Sequence, residues 1–155
     1  GLSLSFMRPT DSKLRELGSV WLSPSLYVNL RFDDTDRATT SVGITWCGQE
    51  GGGGSANIIP VTATYVKRFG DNKESPWYVG GGLGAYWVNY KGWVGLTRQT
   101  DKDVKLGLHV VFGREFGGWY AELRREVVSS LERDNGQGSI GLGSWAITIG
   151  SRMAL

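Results

Sequence analysis

One cysteine and one histidine serve a chain of 155 residues. Cys47 alone can neither close an internal disulfide nor join a multi-cysteine metal site, and His109 alone excludes centres that need two imidazoles. No apolar run approaches the roughly 18 residues that a membrane helix requires. An excess of one charge is lacking too. Seventeen basic against fifteen acidic residues leave a net charge of +2, which gives no electrostatic case for a nucleic-acid partner. Charged residues make up 21% and aromatics 12%, which excludes a disordered chain. The opening stretch GLSLSFMRP has no basic start and no long apolar core. No secretory leader is expected in it, and an exported protein would be in its mature form. The length suits a single domain over residues 1–155.

What is plentiful is glycine (24), tryptophan (7) and tyrosine (6), against four prolines. That mixture suggests an all-β protein of many hairpins. Period-two alternation supports it. Over residues 145–155, Trp145, Ile147, Ile149, Ser151, Met153 and Leu155 alternate with Ala146, Thr148, Gly150, Arg152 and Ala154. Leu22, Pro24, Leu26, Val28, Leu30 and Phe32 alternate with Ser23, Ser25, Tyr27, Asn29 and Arg31. The same split marks strands around Leu4, Ile44, Val61, Leu83, Leu108 and Ala121, which makes eight in all. Tight polar turns are expected at 33–37, 70–76 and 117–118. Longer loops are expected at 10–18, 48–57, 92–103 and 129–138. Short turns at one end and long loops at the other describe an eight-stranded antiparallel up-and-down barrel.

Alternation does not say which face points inward, but three arguments do. Eight strands enclose a lumen just wide enough for side chains, and about five large apolar residues per strand would overfill it. A soluble barrel carries many Lys and Glu outside, whereas the polar faces here are mostly Ser, Thr, Gly and Tyr. Finally, aromatics collect at two levels. Phe32, Phe69, Trp77, Phe116 and Trp119 sit at the short-turn end, and Trp46, Trp87 and Trp93 toward the long loops. These match the two girdles of a transmembrane barrel. The apolar face is therefore expected in lipid. Lys67 and Arg114 share that face close to the short-turn girdle, where a long side chain can snorkel.

The ending Thr148-Ile149-Gly150-Ser151-Arg152-Met153-Ala154-Leu155 resembles the C-terminal insertion signal of bacterial outer-membrane barrels, carried by Gly150, Met153 and Leu155. It departs from that signal in having Met and Leu where aromatics are usual. The run from Pro76 to Tyr86 resembles the fifth strand of small outer-membrane barrel domains of the OmpA-transmembrane-domain and OmpW type. The resemblance implies termini and short turns at the periplasm and long loops outside. It also implies insertion by the outer-membrane assembly machinery into a lipid bilayer, with lipopolysaccharide as a further candidate partner. A monomer without a cofactor is expected.

Candidate sites follow. Arg31, Arg68, Glu115 and Arg152 share the inward parity at one height, and Lys105, Glu122, Arg124 and Glu126 share that parity higher up. Buried charges must pair. An internal ion-pair cluster is thus predicted near the short-turn end, as a structural plug or, alternatively, a gate. Gly80, Gly82 and Ala85 fit G-x-G-x-x-A, but a strand follows instead of the helix that dinucleotide binding requires. Inward glycines are instead expected to make room for bulky neighbours such as the arginines. His109 is read as a polar lumen residue. The acyl-hydrolysing type of outer-membrane barrel carries His-x-Ser, and this chain has His109-Val110-Val111. Cys47 is read as inert packing near the outer rim. Gly51–Ser55 has the composition of a flexible linker, native or engineered. A short helical turn is expected at 12–17, capped by Ser12, packed through Leu14 and Leu17 and stopped by Gly18. Lys91, Arg98 and Lys102 are read as a solvated loop, with contact to anionic lipid heads as the alternative. The expected role is non-catalytic, structural or surface-interacting. The alternatives are a narrow channel for small solutes and a soluble lipocalin-like barrel with its apolar residues inside.

Overall fold

Antiparallel pairing runs around the molecule until the first strand meets the last. The computed structural model describes residues 1–30, 37–70, 75–94, 97–132 and 139–151, with side chains over 93–99 outside the description. In chain order the elements are β1 (Leu2–Pro9), α1 (Ser12–Leu17), β2 (Trp21–Leu30), β3 (Ala38–Thr45), β4 (Cys47–Gly51) and β5 (Gly54–Phe69). β6 (Trp77–Val94), β7 (Thr97–Phe116), β8 (Trp119–Val128), β9 (Leu131–Glu132), β10 (Ser139–Ile140) and β11 (Ser144–Ser151) follow. β1 pairs with β2 through Leu2↔Leu26 and with β11 through Leu2↔Ser151. β3 pairs with both β2 and β5, and the sheet is a closed eight-stranded barrel.

β3 and β4 are one barrel strand. Their register against β5 is continuous, with Ile44↔Val61 on one side of the gap and Cys47↔Ile58 on the other. The gap falls opposite Pro60, which has no N–H to give the ladder.

The face question is decided by exposure. Leu26, Leu108 and Ile147 are 57%, 58% and 58% exposed on the outer wall, while Ser23, Thr62, Thr64 and Thr148 are buried inside. Such an exterior belongs in hydrocarbon, where a closed barrel satisfies every backbone polar group. This arrangement excludes the lipocalin-like reading, which needs the apolar set within.

Two expected loops are strands instead. Residues 48–57 form most of the β4–β5 hairpin, and 92–103 form the upper part of the β6–β7 hairpin, whose register runs to Val94↔Thr97. Above the lipid, one face of a hairpin meets water and the other a protein core, so the apolar-out alternation of the spanning segment disappears. Gly51–Ser55 is accordingly an ordered turn. Gly52 and Gly53 adopt φ of 56° and 82°, as a two-residue hairpin loop demands. The turn also packs tightly: a Cβ on Gly51 would lie 2.4 Å from the Leu17 carbonyl oxygen at the end of α1. The expected 129–138 loop contributes β9, which pairs with β10 through Leu131↔Ile140. Of the expected tight turns, Gly117-Gly118 has φ of 53° and 95°, whereas 33–37 and 70–76 fall mainly outside the described residues.

The helix is capped one residue earlier than expected. Asp11, not Ser12, is the N-cap: its Oδ1 accepts from the Lys13 amide at 2.8 Å and its Oδ2 from the Gly141 amide at 2.8 Å. The two oxygens of a carboxylate let it accept from donors on opposite sides, whereas a hydroxyl offers a single oxygen.

Candidate functional site

The lumen is filled in three layers. At the short-turn end, Tyr78 and Tyr120 are buried with Val66 and Val111, and Tyr27 packs against them. Tyr27 and Tyr120 meet edge-to-face at 6.0 Å. These rings are seated by glycines on the neighbouring strands. Tyr78 lies opposite Gly113, and Tyr120 opposite Gly150. A Cβ at either glycine would come within 2.5 Å of the ring. His109 lies opposite Gly82 in the same manner. The inward glycines therefore make room for tyrosines and a histidine, not for the arginines first expected. A ring needs a flat clearance across the strand, whereas a guanidinium can bend along the axis.

The middle layer is ionic. Arg124 Nη2 lies 3.1 Å from Glu122 Oε1, and Arg124 Nη1 lies 3.9 Å from Glu126 Oε1. Tyr78 donates to Glu122 Oε2 at 3.1 Å, and Ser144 donates to Glu126 Oε2 at 2.8 Å. The chain Tyr78–Glu122–Arg124–Glu126–Ser144 thus runs up the inner face of β8 and ties it to β6 and β11. A cavity of about 70 Å³ lies beside it, lined by Ser5, Ser23, Thr62, Thr64 and Thr148 among others. It has room and partners for a few waters. His109 borders this layer, with its Nε2 2.8 Å from the Thr64 hydroxyl.

The top layer is an apolar plug. Met7, Leu14, Leu17, Trp21, Cys47, Ala56, Ile58, Tyr86, Val88, Tyr90, Leu131, Ile140 and Leu142 form one buried cluster with their neighbours. Trp21 is fully buried and donates from Nε1 to the Gly18 carbonyl at 2.8 Å. Helix α1, the β9–β10 pair and the inner faces of the raised hairpins together close the mouth.

The predicted charge cluster is divided by this geometry. Arg68 and Glu115 pair at 2.8 Å near the short-turn end, with Arg68 Nη1 donating to Thr39 Oγ1 at 2.7 Å. Glu122, Arg124 and Glu126 lie higher, on the other side of the tyrosine layer. Lys105 is not part of either group. Its Nζ lies 2.6 Å from Asp103 Oδ2, two residues up the same strand. The predicted single plug at the short-turn end is therefore two ionic groups, because tyrosines occupy the space between them. Arg31 and Arg152 lie outside the described residues.

Of the girdle residues, Phe69, Trp77, Phe116 and Trp119 are exposed at the short-turn end, and Trp46 and Trp87 toward the other. Phe32 and the Trp93 side chain lie outside the described residues. Arg114 sits among the lower aromatics, its guanidinium 5.2 Å from the Trp77 ring centroid and 5.3 Å from that of Phe116. Gly150 ends the inner face of β11, and Met153 and Leu155 are outside the described residues. Cys47 is buried in the plug. The Arg98 side chain is not described, while Lys102 is exposed on the raised hairpin.

The sequence reading places Trp145 on the apolar face but not in a girdle, and it does not single out Trp21. Trp21 shares the inward parity of Ser23, Ser25 and Tyr27, and a tryptophan on that parity at a strand end signals a filled mouth. Trp145 is 48% exposed on the outer wall and extends the upper girdle.

An eight-stranded barrel with an apolar wall, two aromatic levels and a packed lumen is a transmembrane β-barrel. No family model matches the chain, and no curated protein matches it in sequence. Among solved structures it is similar to Neisserial surface protein A (NspA), with 15% identity and a TM-score of 0.73 over 96% of this chain and 90% of that one. It is also similar to the outer membrane enzyme PagL, with 13% identity and a TM-score of 0.65 over 97% and 99%. The N-terminal β-barrel domain of Pseudomonas aeruginosa OprF gives 10% identity and a TM-score of 0.50 over 96% and 92%. The chain thus has the fold of the small eight-stranded outer-membrane barrels.

Proposed function

We propose that this chain is an integral protein of a bacterial outer membrane with a non-catalytic role, structural or in surface interaction. The observation that carries the reading is the pairing of an exposed apolar wall with a lumen closed by the tyrosine layer below and the apolar plug above. The raised β4–β5 and β6–β7 hairpins and the plug build a folded surface beyond the lipid, which suits contact with an external partner. In this reading the assembly machinery inserts the barrel as a monomer, and the lipid bilayer is its permanent partner.

PagL is an enzyme, and at 13% identity the likeness to it extends to fold alone. His109 gives little support to catalysis here. It is 2% exposed, it faces the lumen and not the lipid wall, and its hydrogen-bonded neighbour is Thr64. The narrow-channel alternative is opposed by the tyrosine layer below the cavity and the apolar plug above it.

The test is behaviour in detergent. The folded chain is expected to migrate faster in unheated SDS gels than after boiling, and to need detergent to stay in solution. Dispersal in plain buffer as a folded monomer would overturn the membrane reading. A steady single-channel current from the purified barrel in planar bilayers would overturn the filled-lumen reading.

A further inference from the structure

Outside the lumen, three residues form one cross-strand row on the outer wall at the plugged end. Arg8 lies opposite Trp145, and Trp145 lies opposite Arg125. All three share the outward parity: Arg8 continues Leu4 and Phe6, Arg125 continues Leu123, and Trp145 begins the series Ile147, Ile149. With strands about 4.8 Å apart, the two arginine backbones stand about 10 Å from each other. The Arg125 guanidinium lies 5.1 Å from the Trp145 ring centroid, and its Nη1 donates to the Ser144 carbonyl at 3.2 Å. Ser144 precedes Trp145 on the rim side, so this posture lifts the charge out of the hydrocarbon toward the headgroups. Among the described residues neither arginine meets a carboxylate.

Below this row the wall is apolar. Phe6, Ile147 and Leu123 form the row two residues down. From the next row down, Leu4 and Ile149, an open apolar groove of about 480 Å³ runs between Leu2, Pro24 and Leu26 toward Trp119 at the short-turn end. Pro24 lies opposite Leu4, and its short ring leaves the hollow. Two guanidiniums at the rim and an acyl-sized trough beneath them match an amphiphile with a phosphate head. A free anion would use the arginines and leave the trough empty.

We propose that Arg8, Trp145 and Arg125 dock the phosphate head of a lipid in the leaflet at the plugged end, with one of its acyl chains in the Leu4–Pro24 groove. Guanidiniums bind phosphate oxygens in pairs through charge-assisted hydrogen bonds. The stacked tryptophan holds Arg125 in place before the lipid arrives. This inference rests on the outer wall lying in lipid.

The test uses the full chain refolded in neutral detergent. Native mass spectrometry reads lipid retained from added diphosphorylated lipid A and from its dephosphorylated form, with inorganic phosphate as competitor. The wild type is expected to retain the phosphorylated lipid and to lose about tenfold or more of that retention in Arg8→Gln/Arg125→Gln. Lys102→Ala, which removes an exposed cation on the raised β6–β7 hairpin, eight residues along β7 from the partner of Arg125, is expected to leave retention unchanged. Equal retention by wild type and double variant, or equal retention of both lipid forms, overturns the site. Displacement by millimolar inorganic phosphate would show a soluble-anion site and overturn the lipid assignment. Each variant is first checked for the heat-dependent gel shift. Absence of that shift in the wild type would mean that the membrane reading fails, separately from the docking site. Should only the double variant misfold, Arg8→Gln and Arg125→Gln singly carry the same comparison.

Discussion

Arg124→Ala is expected to destabilise the folded barrel by about 3–5 kcal/mol, read as a lower urea midpoint in lipid vesicles. Arg124 is the cation between Glu122 and Glu126, at 3.1 and 3.9 Å. Both carboxylates are buried, and their remaining bonds to Tyr78 and Ser144 are hydrogen bonds from neutral hydroxyls. Without the guanidinium, two like charges are left four residues apart on the inner face of β8, beside a cavity that holds only a few waters. Attraction within the triad offsets the desolvation of three ions only while all three are present. The triple replacement Glu122→Gln/Arg124→Met/Glu126→Gln is therefore expected to regain most of the lost stability, because it removes the charges together. A loss under about 1 kcal/mol for Arg124→Ala would mean that the carboxylates are reached by bulk water, which is the usual regime for weak ion pairs.

The spanning wall was legible because lipid imposes a strict rule on every outward residue. Leu106, Leu108, Val110 and Phe112 each had to be apolar, and the alternation with Gly107, His109 and Gly113 followed. No such rule acts above the lipid, where Thr97, Gln99 and Asp101 belong to the same continuous strand and carry no period-two signature. The lumen was half legible. Parity placed Glu122, Arg124 and Glu126 inside, but contacts between strands, such as Arg68–Glu115 and Tyr78–Glu122, depend on register, which parity does not contain. Lys105 and Arg124 read alike in sequence, yet Asp103 stands two residues from one and two carboxylates flank the other. The glycine seats have the same origin. That Gly113 serves Tyr78 and Gly150 serves Tyr120 becomes readable only when cross-strand pairs are known. Edge-free barrels use such glycine–aromatic pairs to pin register, so residues that looked like filler carry information about alignment. The plug was the least legible part. Its members Leu14, Trp21, Leu131 and Ile140 come from four separate segments, none with a long period of its own.

That scattered origin makes Trp21 the residue whose loss should separate the plug from the barrel. Trp21 is fully buried, packs within the cluster that holds Leu14, Leu17, Met7, Cys47 and Ile140, and ties β2 to the end of α1 through Gly18. Trp21→Ala removes the largest side chain of that cluster, a change that typically costs about 3–5 kcal/mol. The spanning strands keep their ladders and lipid contacts, so the heat-dependent gel shift should persist. The plug should instead open locally, as weakly held units do. Cys47, 2% exposed in the intact plug, reports that opening. Its alkylation by a water-soluble maleimide in unheated micelles is expected to quicken by about 100-fold or more. Trp21→Phe, which keeps most of the volume and loses the bond to Gly18, should fall between the two. Unchanged labelling in Trp21→Ala would mean that the mouth is held by the raised hairpins alone. A urea midpoint for the whole barrel falling in step with the labelling would mean that plug and wall fold as one unit.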